Sequence, residues 1–234
     1  MEWTTRLVGN IFTRKFRPEA LLFTSLWLSL IYLASWLRLE EGVEWGAWGQ
    51  AVFTHQEWWR AWSALLVHGD LAHLLANTPL LMLFILLLHG VYGPGPVLLA
   101  FLISGLGNFV VLAFMPPEVK LVGASGVVHF MGAMWALLHV LLDRRQDLKP
   151  RFGSALFLML MLFVPDTYRP NVSYLAHFIG FLLGGLTAWG YYLVRRDYFF
   201  GLEVYEARLV PPIDFDWSGD VNSPHLPPEE QHPL

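Results

Sequence analysis

Six long apolar stretches dominate the chain and restrict it to folds that cross a membrane. They lie at about 20–37, 71–88, 97–114, 125–142, 152–164 and 172–194. A helix of about 20 apolar residues spans the hydrocarbon core of a bilayer, and these stretches lack the alternation that strands of a membrane barrel need. Hydrophobic residues make up 55% of the 234 residues and charged residues 15%, against about 25% charged in soluble domains. We therefore expect an all-α, polytopic membrane protein with a bundle of six transmembrane helices.

Charge and cysteine content exclude several functional classes. The net charge of −4 is unsuited to a nucleic-acid-binding surface, so we expect the lipid bilayer and no nucleic acid among the partners. The chain has no cysteine, which excludes disulfides, thiolate metal sites and cysteine nucleophiles. It also contains no phosphate-binding Walker loop and no dinucleotide-binding glycine pattern. We expect no cofactor and no metal.

The positive charges indicate the orientation of the spans. They cluster before the first span, between the fourth and fifth, and after the sixth: Arg6, Arg14, Lys15 and Arg17; Arg144, Arg145, Lys149 and Arg151; Arg195 and Arg196. Since Lys and Arg accumulate on the cytoplasmic side, both termini are predicted to be cytoplasmic, with the first span retained as an anchor. The predicted domains are a cytoplasmic N-terminal segment (1–19), a membrane domain (20–196) and an acidic, proline-rich cytoplasmic tail (197–234) that is expected to be disordered.

The first outer loop, residues 38–70, is rich in tryptophan. It carries five of the 11 tryptophans of the chain: Trp45, Trp48, Trp58, Trp59 and Trp62. Because indole prefers the boundary between headgroups and acyl chains, we expect this loop to lie in the outer membrane interface. An ordinary aromatic belt explains the same composition equally well.

Polar side chains inside the apolar stretches are the candidate functional residues, because each is costly in lipid. His73 and Asn77 lie in the second span, Ser125 and His129 in the fourth, and His177 in the sixth. These three spans run in the same direction, from outside to inside. At 1.5 Å per residue, His73, Asn77, Ser125 and His177 fall within about 10 Å of the outer boundary. Polar groups at one depth on three helices are able to converge on one site.

Glycine spacing predicts which helices meet there. His177 shares a helical stripe with Gly180 and Gly184, and small-residue stripes let membrane helices approach closely. Glycines also flank Ser125, at Gly123 and Gly126. We therefore expect the fourth and sixth spans to pack tightly enough for Ser125 to hydrogen-bond His177. A hydroxyl with an imidazole base is the minimum set for nucleophilic acyl transfer.

The remaining polar residues suit an electrophilic role. Attack on a peptide carbonyl develops an oxyanion, which the Asn77 amide, a His73 N–H and the Ser125 backbone N–H are able to stabilise. Taken singly, each feature has a simpler interpretation, since a membrane Asn or His more often forms an interhelical hydrogen bond worth about 0.6 kcal/mol. His68, at the mouth of the second span, is expected to be a structural hydrogen-bonding residue.

Four motifs, and the order in which they follow one another along the chain, resemble those of the rhomboid family of intramembrane serine proteases. They are the Trp59–Arg60 pair, LVHGDLAHLLAN ending at Asn77, GASG around Ser125 and AHFIGFLLGG from Ala176, and the resemblance covers roughly residues 15–195. It implies a serine endopeptidase with Ser125 as nucleophile, His177 as base, and His73 and Asn77 as the oxyanion-binding pair. It also implies transmembrane-helix substrates cut near the outer boundary. A bacterial plasma membrane is the expected location.

Position 129 departs from the family pattern. Where the family often has an aromatic residue stacked on the catalytic histidine, this chain has His129. Two alternatives stay open: His129 stacks in the same way, or it alters the proton affinity of His177.

At the level of function, a catalytically inactive rhomboid-like protein that binds membrane helices is the alternative to the protease. A transporter fits less well, because the acidic residues lie at span ends.

Overall fold

Helices make up most of the computed structural model, which describes residues 2–163 and 173–210. The helices are α1 (Glu19–Glu40), α2 (Arg60–Ser63), α3 (Leu71–Tyr92), α4 (Gly95–Ala113), α5 (Ser125–Leu142), α6 (Leu148–Phe163) and α7 (Tyr174–Phe200). Two strands, β1 (Glu2–Gly9) and β2 (Val204–Val210), precede and follow them. Five of the helices, α1, α3, α4, α5 and α7, are long and apolar enough to cross a membrane. This confirms a multi-pass, mostly helical membrane protein.

The fifth predicted span, 152–164, corresponds to α6. Its 16 described residues end at Phe163, next to residues 164–172, which lie outside the described part of the chain. A six-span count therefore stays a prediction.

Side-chain caps fix where the helices of interest begin. Asp70 precedes α3, and its carboxylate accepts a hydrogen bond from the His73 backbone N–H at 2.7 Å. Ser173 precedes α7, and its hydroxyl accepts from the Ala176 N–H at 3.3 Å. Such caps satisfy backbone N–H groups that have no partner within the helix. They place His73 and His177 in the first turns of their helices.

The central helix of the bundle is α5. It packs against α3, α4, α6 and α7, and its most extensive interface is with α7. Phe130, Met131 and Met134 on α5 are fully buried. By contrast, large apolar side chains on α1 and α4 are exposed: Leu21, Leu22, Leu26, Leu102 and Leu106. Because a bilayer is apolar, it solvates such a surface without cost.

A two-stranded sheet joins the ends of the described chain. Strands β1 and β2 pair antiparallel, with Glu2 opposite Val210 and Arg6 opposite Glu206. The expectation of a disordered tail is therefore wrong for residues 197–210, which form the end of α7 and β2. Residues 211–234 lie outside the described part. The predicted boundaries of the three domains stay predictions.

A buried polar contact fastens this sheet to the bundle. The Asn10 side-chain amide donates to the carbonyl oxygen of Leu142 and to Oδ1 of Asp143, both at 3.1 Å. Arg145 forms an ion pair with the same carboxylate at 2.8 Å. Burial raises the pKa of Asp143, but the hydrogen bonds from Arg145 and Asn10 outweigh this effect and leave that pKa below its usual value. The carboxylate is therefore kept ionised where β1 meets the end of α5.

Candidate active site

The first outer loop is held by contacts around Arg60. The Arg60 guanidinium stacks on the rings of Trp48 and Trp59, 4.6 and 4.5 Å from their centres. It also donates to the carbonyl oxygen of Gly46 at 3.2 Å. Cation–π contacts of this kind contribute about 0.5–2 kcal/mol each. The Trp59–Arg60 pair singled out in the sequence is thus the centre of a network that gives the loop a fixed shape.

The same loop is joined to α4 and to the segment that precedes α5. Asn108 of α4 donates to the carbonyl oxygen of Ala61 at 2.7 Å. Ala47 and Leu121 exchange two backbone hydrogen bonds, at 3.0 and 2.7 Å. These contacts connect the loop to the chain four residues before Ser125. Its position in the outer membrane interface stays a prediction.

Ser125 is the first residue of α5, and the turn before it has an unusual backbone. Gly123 adopts a φ of +120°, a conformation that side-chain-bearing residues rarely take. The Gly123 N–H donates to the carbonyl oxygen of Ala64 at 2.9 Å, and the Ala124 N–H donates to Nε2 of His68 at 3.4 Å. Both backbone N–H groups of the turn therefore donate to residues of the first outer loop. Ser125 itself is half-buried.

His73 and Asn77 lie beside this turn. A Cβ on Gly123 would be only 2.7 Å from Cε1 of His73, so the glycine at this position lets the imidazole lie directly against the turn. Asn77 follows one helical turn later, and its side-chain amide donates to the His73 carbonyl oxygen at 3.3 Å. The two residues expected to bind an oxyanion thus share one face of α3, and the structure places that face next to the Ser125 turn.

Helices α5 and α7 approach each other at the predicted glycines. A Cβ on Gly180 would lie 2.2 Å from the carbonyl oxygen of Gly126, and one on Gly184 would lie 2.2 Å from that of Phe130. Real Cβ atoms are never so close to a backbone oxygen, so only glycine permits this packing. The close approach brings the first turn of α7, with His177, against the first turns of α5.

His129 connects the two helices at the level of the site. Its Nδ1 is 2.8 Å from the carbonyl oxygen of Ser125, one turn earlier on α5. Its ring stacks on that of His177, with the centres 4.0 Å apart and the planes inclined by 14°. His177 is 3% exposed and therefore buried. The first alternative for position 129, stacking on His177, is therefore confirmed.

His68 is a positioning residue that sequence reasoning identified only as a structural hydrogen-bonder. Its Nδ1 is 3.1 Å from Oγ of Ser35 on α1, while its Nε2 accepts from Ala124. Burial, reinforced by the neighbouring His73, lowers the pKa of His68 to about 3. The ring is therefore neutral at physiological pH and keeps an acceptor for the Ala124 N–H.

Within residues 2–163 and 173–210, no three His, Asp or Glu side chains are placed to hold a metal ion. The candidate site brings together a hydroxyl, imidazoles and an amide. Three helices contribute these groups from their first two turns: α3, α5 and α7.

Comparison with known proteins gives one family. The sequence model of the Rhomboid domain matches residues 55–194, more than half of the chain. Rhomboid protease GluP of Bacillus subtilis is 29% identical over 176 residues, which cover 71% of this chain and 34% of GluP. RHOMBOID-like protein 5 of Arabidopsis thaliana is 32% identical over 143 residues, covering 59% of this chain and 46% of that protein. The chain thus spans less than half the length of these two relatives.

Proposed function

Since the chain belongs to the rhomboid family, we propose that it is an intramembrane protease in which Ser125 is the nucleophile and His177 the general base. One observation carries this proposal above the others. His129 contacts the carbonyl of Ser125 and stacks on the ring of His177, so that the hydroxyl-bearing turn and the imidazole belong to one packed unit. The glycine contacts between α5 and α7 support it, because they remove the bulk that would separate the two residues.

The first half of the reaction forms an acyl-enzyme. His177 takes the proton of the Ser125 hydroxyl as Oγ attacks the carbonyl carbon of a substrate peptide bond. The carbonyl π electrons move to the oxygen, which gives a tetrahedral intermediate with a negative charge. His177 then gives its proton to the leaving amine as the C–N bond breaks, and an ester of Ser125 remains. In the second half, His177 takes a proton from water as the water oxygen attacks the ester carbon, and it gives that proton to Oγ of Ser125 as the C–O bond breaks.

The negative charge of the intermediate needs fixed donors. The Asn77 side-chain amide, an N–H of the His73 ring and the backbone N–H of Ser125 at the start of α5 are assigned to this role. A helix start favours negative charge because its backbone N–H groups point outward. One such donor typically contributes about 3–4 kcal/mol to lowering the barrier. His73 and Asn77 on one face of α3, next to the Ser125 turn, support this assignment.

Transmembrane helices are the proposed substrates, and local unwinding is part of recognition. The carbonyl groups of an intact helix are hydrogen-bonded and shielded, so a nucleophile reaches one only after the helix opens. All candidate groups lie within the first two turns of α3, α5 and α7, at one end of the bundle. We assign this end to the outer side of a bacterial plasma membrane, with the termini in the cytoplasm, on the distribution of Lys and Arg.

Cleavage of a single-span model substrate in proteoliposomes tests the assignment. Ser125→Ala is expected to lower the rate at least about 1,000-fold, because losing the nucleophile removes the covalent route. Ser25→Ala is the matched control, since Ser25 is exposed on α1 and its hydroxyl donates to the Leu21 carbonyl oxygen, its one side-chain hydrogen bond within the described chain. It is expected to cleave at the wild-type rate. Undiminished cleavage by Ser125→Ala rules the mechanism out.

Labelling by a fluorophosphonate separates the enzyme from the inactive binder. This reagent forms a covalent bond with an activated serine hydroxyl, so wild type and Ser25→Ala should be labelled and Ser125→Ala should not. If folded wild-type protein is not labelled in several detergents while a membrane helix still binds to it, the helix-binding function replaces the protease.

A further inference from the structure

At the end of the bundle opposite the candidate active site, the chain forms a cavity lined by positive charge. It has a volume of about 490 Å³ and lies between the segment that joins β1 to α1 and the end of α3. Three cationic side chains of that segment line it: Arg14, Lys15 and Arg17. A second cavity of about 250 Å³ adjoins the first, and Arg17 and Arg195 line it. We call the two together the basic cleft.

Within the described part of the chain, the cationic side chains of the basic cleft have no carboxylate partner. No carboxylate is among its described lining residues, and within the described chain no ion pair involves Arg14, Lys15, Arg17 or Arg195. Arg195 instead faces the rings of Tyr191 and Tyr198, at 5.9 and 5.4 Å from their centres. Several cations around one concave space attract an anion and repel another cation.

An unsatisfied hydroxyl gives an independent indication of a polar ligand. Tyr92 is 7% exposed and lines the second cavity. Its hydroxyl oxygen is buried and has no hydrogen-bond partner in the described part of the chain. Buried hydroxyls are nearly always paired, and leaving one unpaired costs about 1–3 kcal/mol. An acceptor oxygen from a bound group would remove that cost.

Two glycines at the end of α3 shape the basic cleft. Gly93 has a φ of +88°, and a Cβ there would lie 2.7 Å from Nη1 of Arg17. A Cβ on Gly90 would overlap the ring of Phe16. The Arg17 backbone N–H also donates to the Gly90 carbonyl oxygen at 3.2 Å. The Arg17 guanidinium is thus set against the backbone at the helix end, unlike a freely extended surface charge.

The position of the basic cleft along the helices matches a headgroup layer. Helix α3 has 22 residues and therefore runs about 33 Å from Asp70 beside the active site to Tyr92, close to the roughly 30 Å of a hydrocarbon core. Just inside this end, Leu21 and Leu22 of α1 are exposed, where acyl chains would lie. The phosphate of a bound phospholipid would therefore lie among the cations at the helix ends, and its acyl chains would lie against the apolar surface just inside them.

We propose that the basic cleft binds the phosphate of an anionic phospholipid headgroup. Arg14, Lys15, Arg17 and Arg195 supply the positive charge, and the Tyr92 hydroxyl donates to a phosphate oxygen. Basic pockets between helices on one side of a membrane suit such headgroups, whereas a zwitterionic lipid gains less from them. The ligand joins the segment before α1 to the ends of α3 and α7, so it stabilises the folded protein.

Native mass spectrometry of the purified full-length protein tests this site. The protein in detergent is titrated with dioleoylphosphatidylglycerol, with dioleoylphosphatidylcholine and with free glycerol 1-phosphate. One phosphatidylglycerol should be retained at least about tenfold more tightly than either of the others. Arg17→Gln and Tyr92→Phe should each weaken this binding at least about tenfold, because each loses a hydrogen bond to a charged group.

Arg196→Gln is the matched control. Arg196 lies next to Arg195 on α7 but does not line the basic cleft, and it pairs with Asp197 at 3.5 Å. Its retention of phosphatidylglycerol should equal that of the wild type. The proposal is overturned if Arg196→Gln loses as much affinity as Arg17→Gln, since the attraction is then unspecific. It is also overturned if phosphatidylcholine binds as tightly, or if glycerol 1-phosphate does, which would mean a soluble phosphate ligand. None of these readouts depends on proteolysis.

Discussion

Histidine is the side chain on which the arrangement of the candidate site most depends. Neutral imidazole carries one donor and one acceptor, so a single ring is able to connect two partners. His68 does this between α1 and the turn before Ser125. His129 connects its partners differently, through a hydrogen bond between its Nδ1 and the Ser125 carbonyl oxygen and through stacking of its ring on that of His177. Replacing the family's usual aromatic residue by His129 therefore keeps the stack and adds a polar contact to the same turn.

Protonation of His68 is expected to weaken the fold in acid. The pKa of His68 is about 3 in the folded protein, mainly because the ring is buried, and near 6.5 in an unfolded chain. Between these values the unfolded chain binds more protons, so stability rises with pH across this window and falls as the pH drops below about 6.5. At pH 5 the contribution of this one group is a loss of about 2 kcal/mol.

Thermal unfolding in detergent at pH 7 and pH 5 measures this effect. His68→Gln has an amide in place of the ring and does not titrate, so its unfolding temperature should fall less between the two pH values than that of the wild type. His55→Gln, which changes an exposed histidine, should behave like the wild type. Equal pH dependence of wild type and His68→Gln would contradict the role assigned to this ring.

The sequence predicts only some of the residues and contacts of the candidate site. The spacing of His73 to Asn77 and of His177 to Gly184 follows helix geometry, so these residues are readable from local pattern. The contacts of His68 with Ser35 and Ala124 join positions 33 and 56 residues away, which no local period encodes. For the same reason, the sequence left the stacking of His129 on His177 as one of two alternatives.

At the scale of elements, the α5–α7 pair is set by where glycine permits contact. Gly184→Ala should destabilise the protein by about 1–3 kcal/mol or more, because the new methyl group would meet the backbone oxygen of Phe130, which cannot move aside without moving the helix. Denaturant unfolding in detergent measures the change. Cleavage of the model substrate should fall as well, since His177 is on the helix that is displaced.

Gly185 is the matched control for this change. A Cβ at Gly185 meets nothing within 4 Å, so Gly185→Ala should be neutral or stabilise the helix by up to about 1 kcal/mol. Equal effects of the two substitutions would mean that helix propensity, and not the close contact of α5 with α7, decides the outcome.

Element bounds follow the apolar pattern except where charged residues continue a helix. α7 runs to Phe200, beyond the predicted end at 194, because Arg195 and Arg196 are good helix formers that a helix carries out of the lipid. α6 starts at Leu148, before the predicted 152, since Pro150 is tolerated in a first turn. Hydropathy therefore predicts the part of a helix that lies in the lipid, but not where the helix itself begins or ends.

On the scale of the whole molecule, the terminal sheet is the feature that the sequence did not predict. Neither β1 nor β2 is long or strongly apolar, and a two-stranded sheet is only marginally stable by itself. Contacts with the bundle support the sheet. Asn10, which follows β1, donates to the carbonyl oxygen of Leu142 at the end of α5, and Arg144 forms an ion pair with Glu203 at 3.2 Å. Such support depends on partners far along the chain, so local composition predicted a disordered tail.

Asn10→Ala is expected to loosen this attachment. The substitution removes two donors from buried acceptors and leaves the carboxylate of Asp143 less satisfied, at a cost of about 1–3 kcal/mol in the free energy of unfolding. Denaturant unfolding in detergent checks the change. Thr4→Ala, which removes only a long, exposed hydrogen bond of β1 to Arg208, should have little effect. Equal losses from both would assign the stabilisation to the sheet itself.

The pairing of β1 with β2 also fixes an order of events during synthesis. Glu2 is translated about 200 residues before its partner Val210. The sheet therefore cannot close before α7 and β2 have been translated, and the first strand lacks its partner strand while the preceding helices are made. Nascent chains stalled before residue 204 would expose this segment to added protease, whereas the finished protein would protect it.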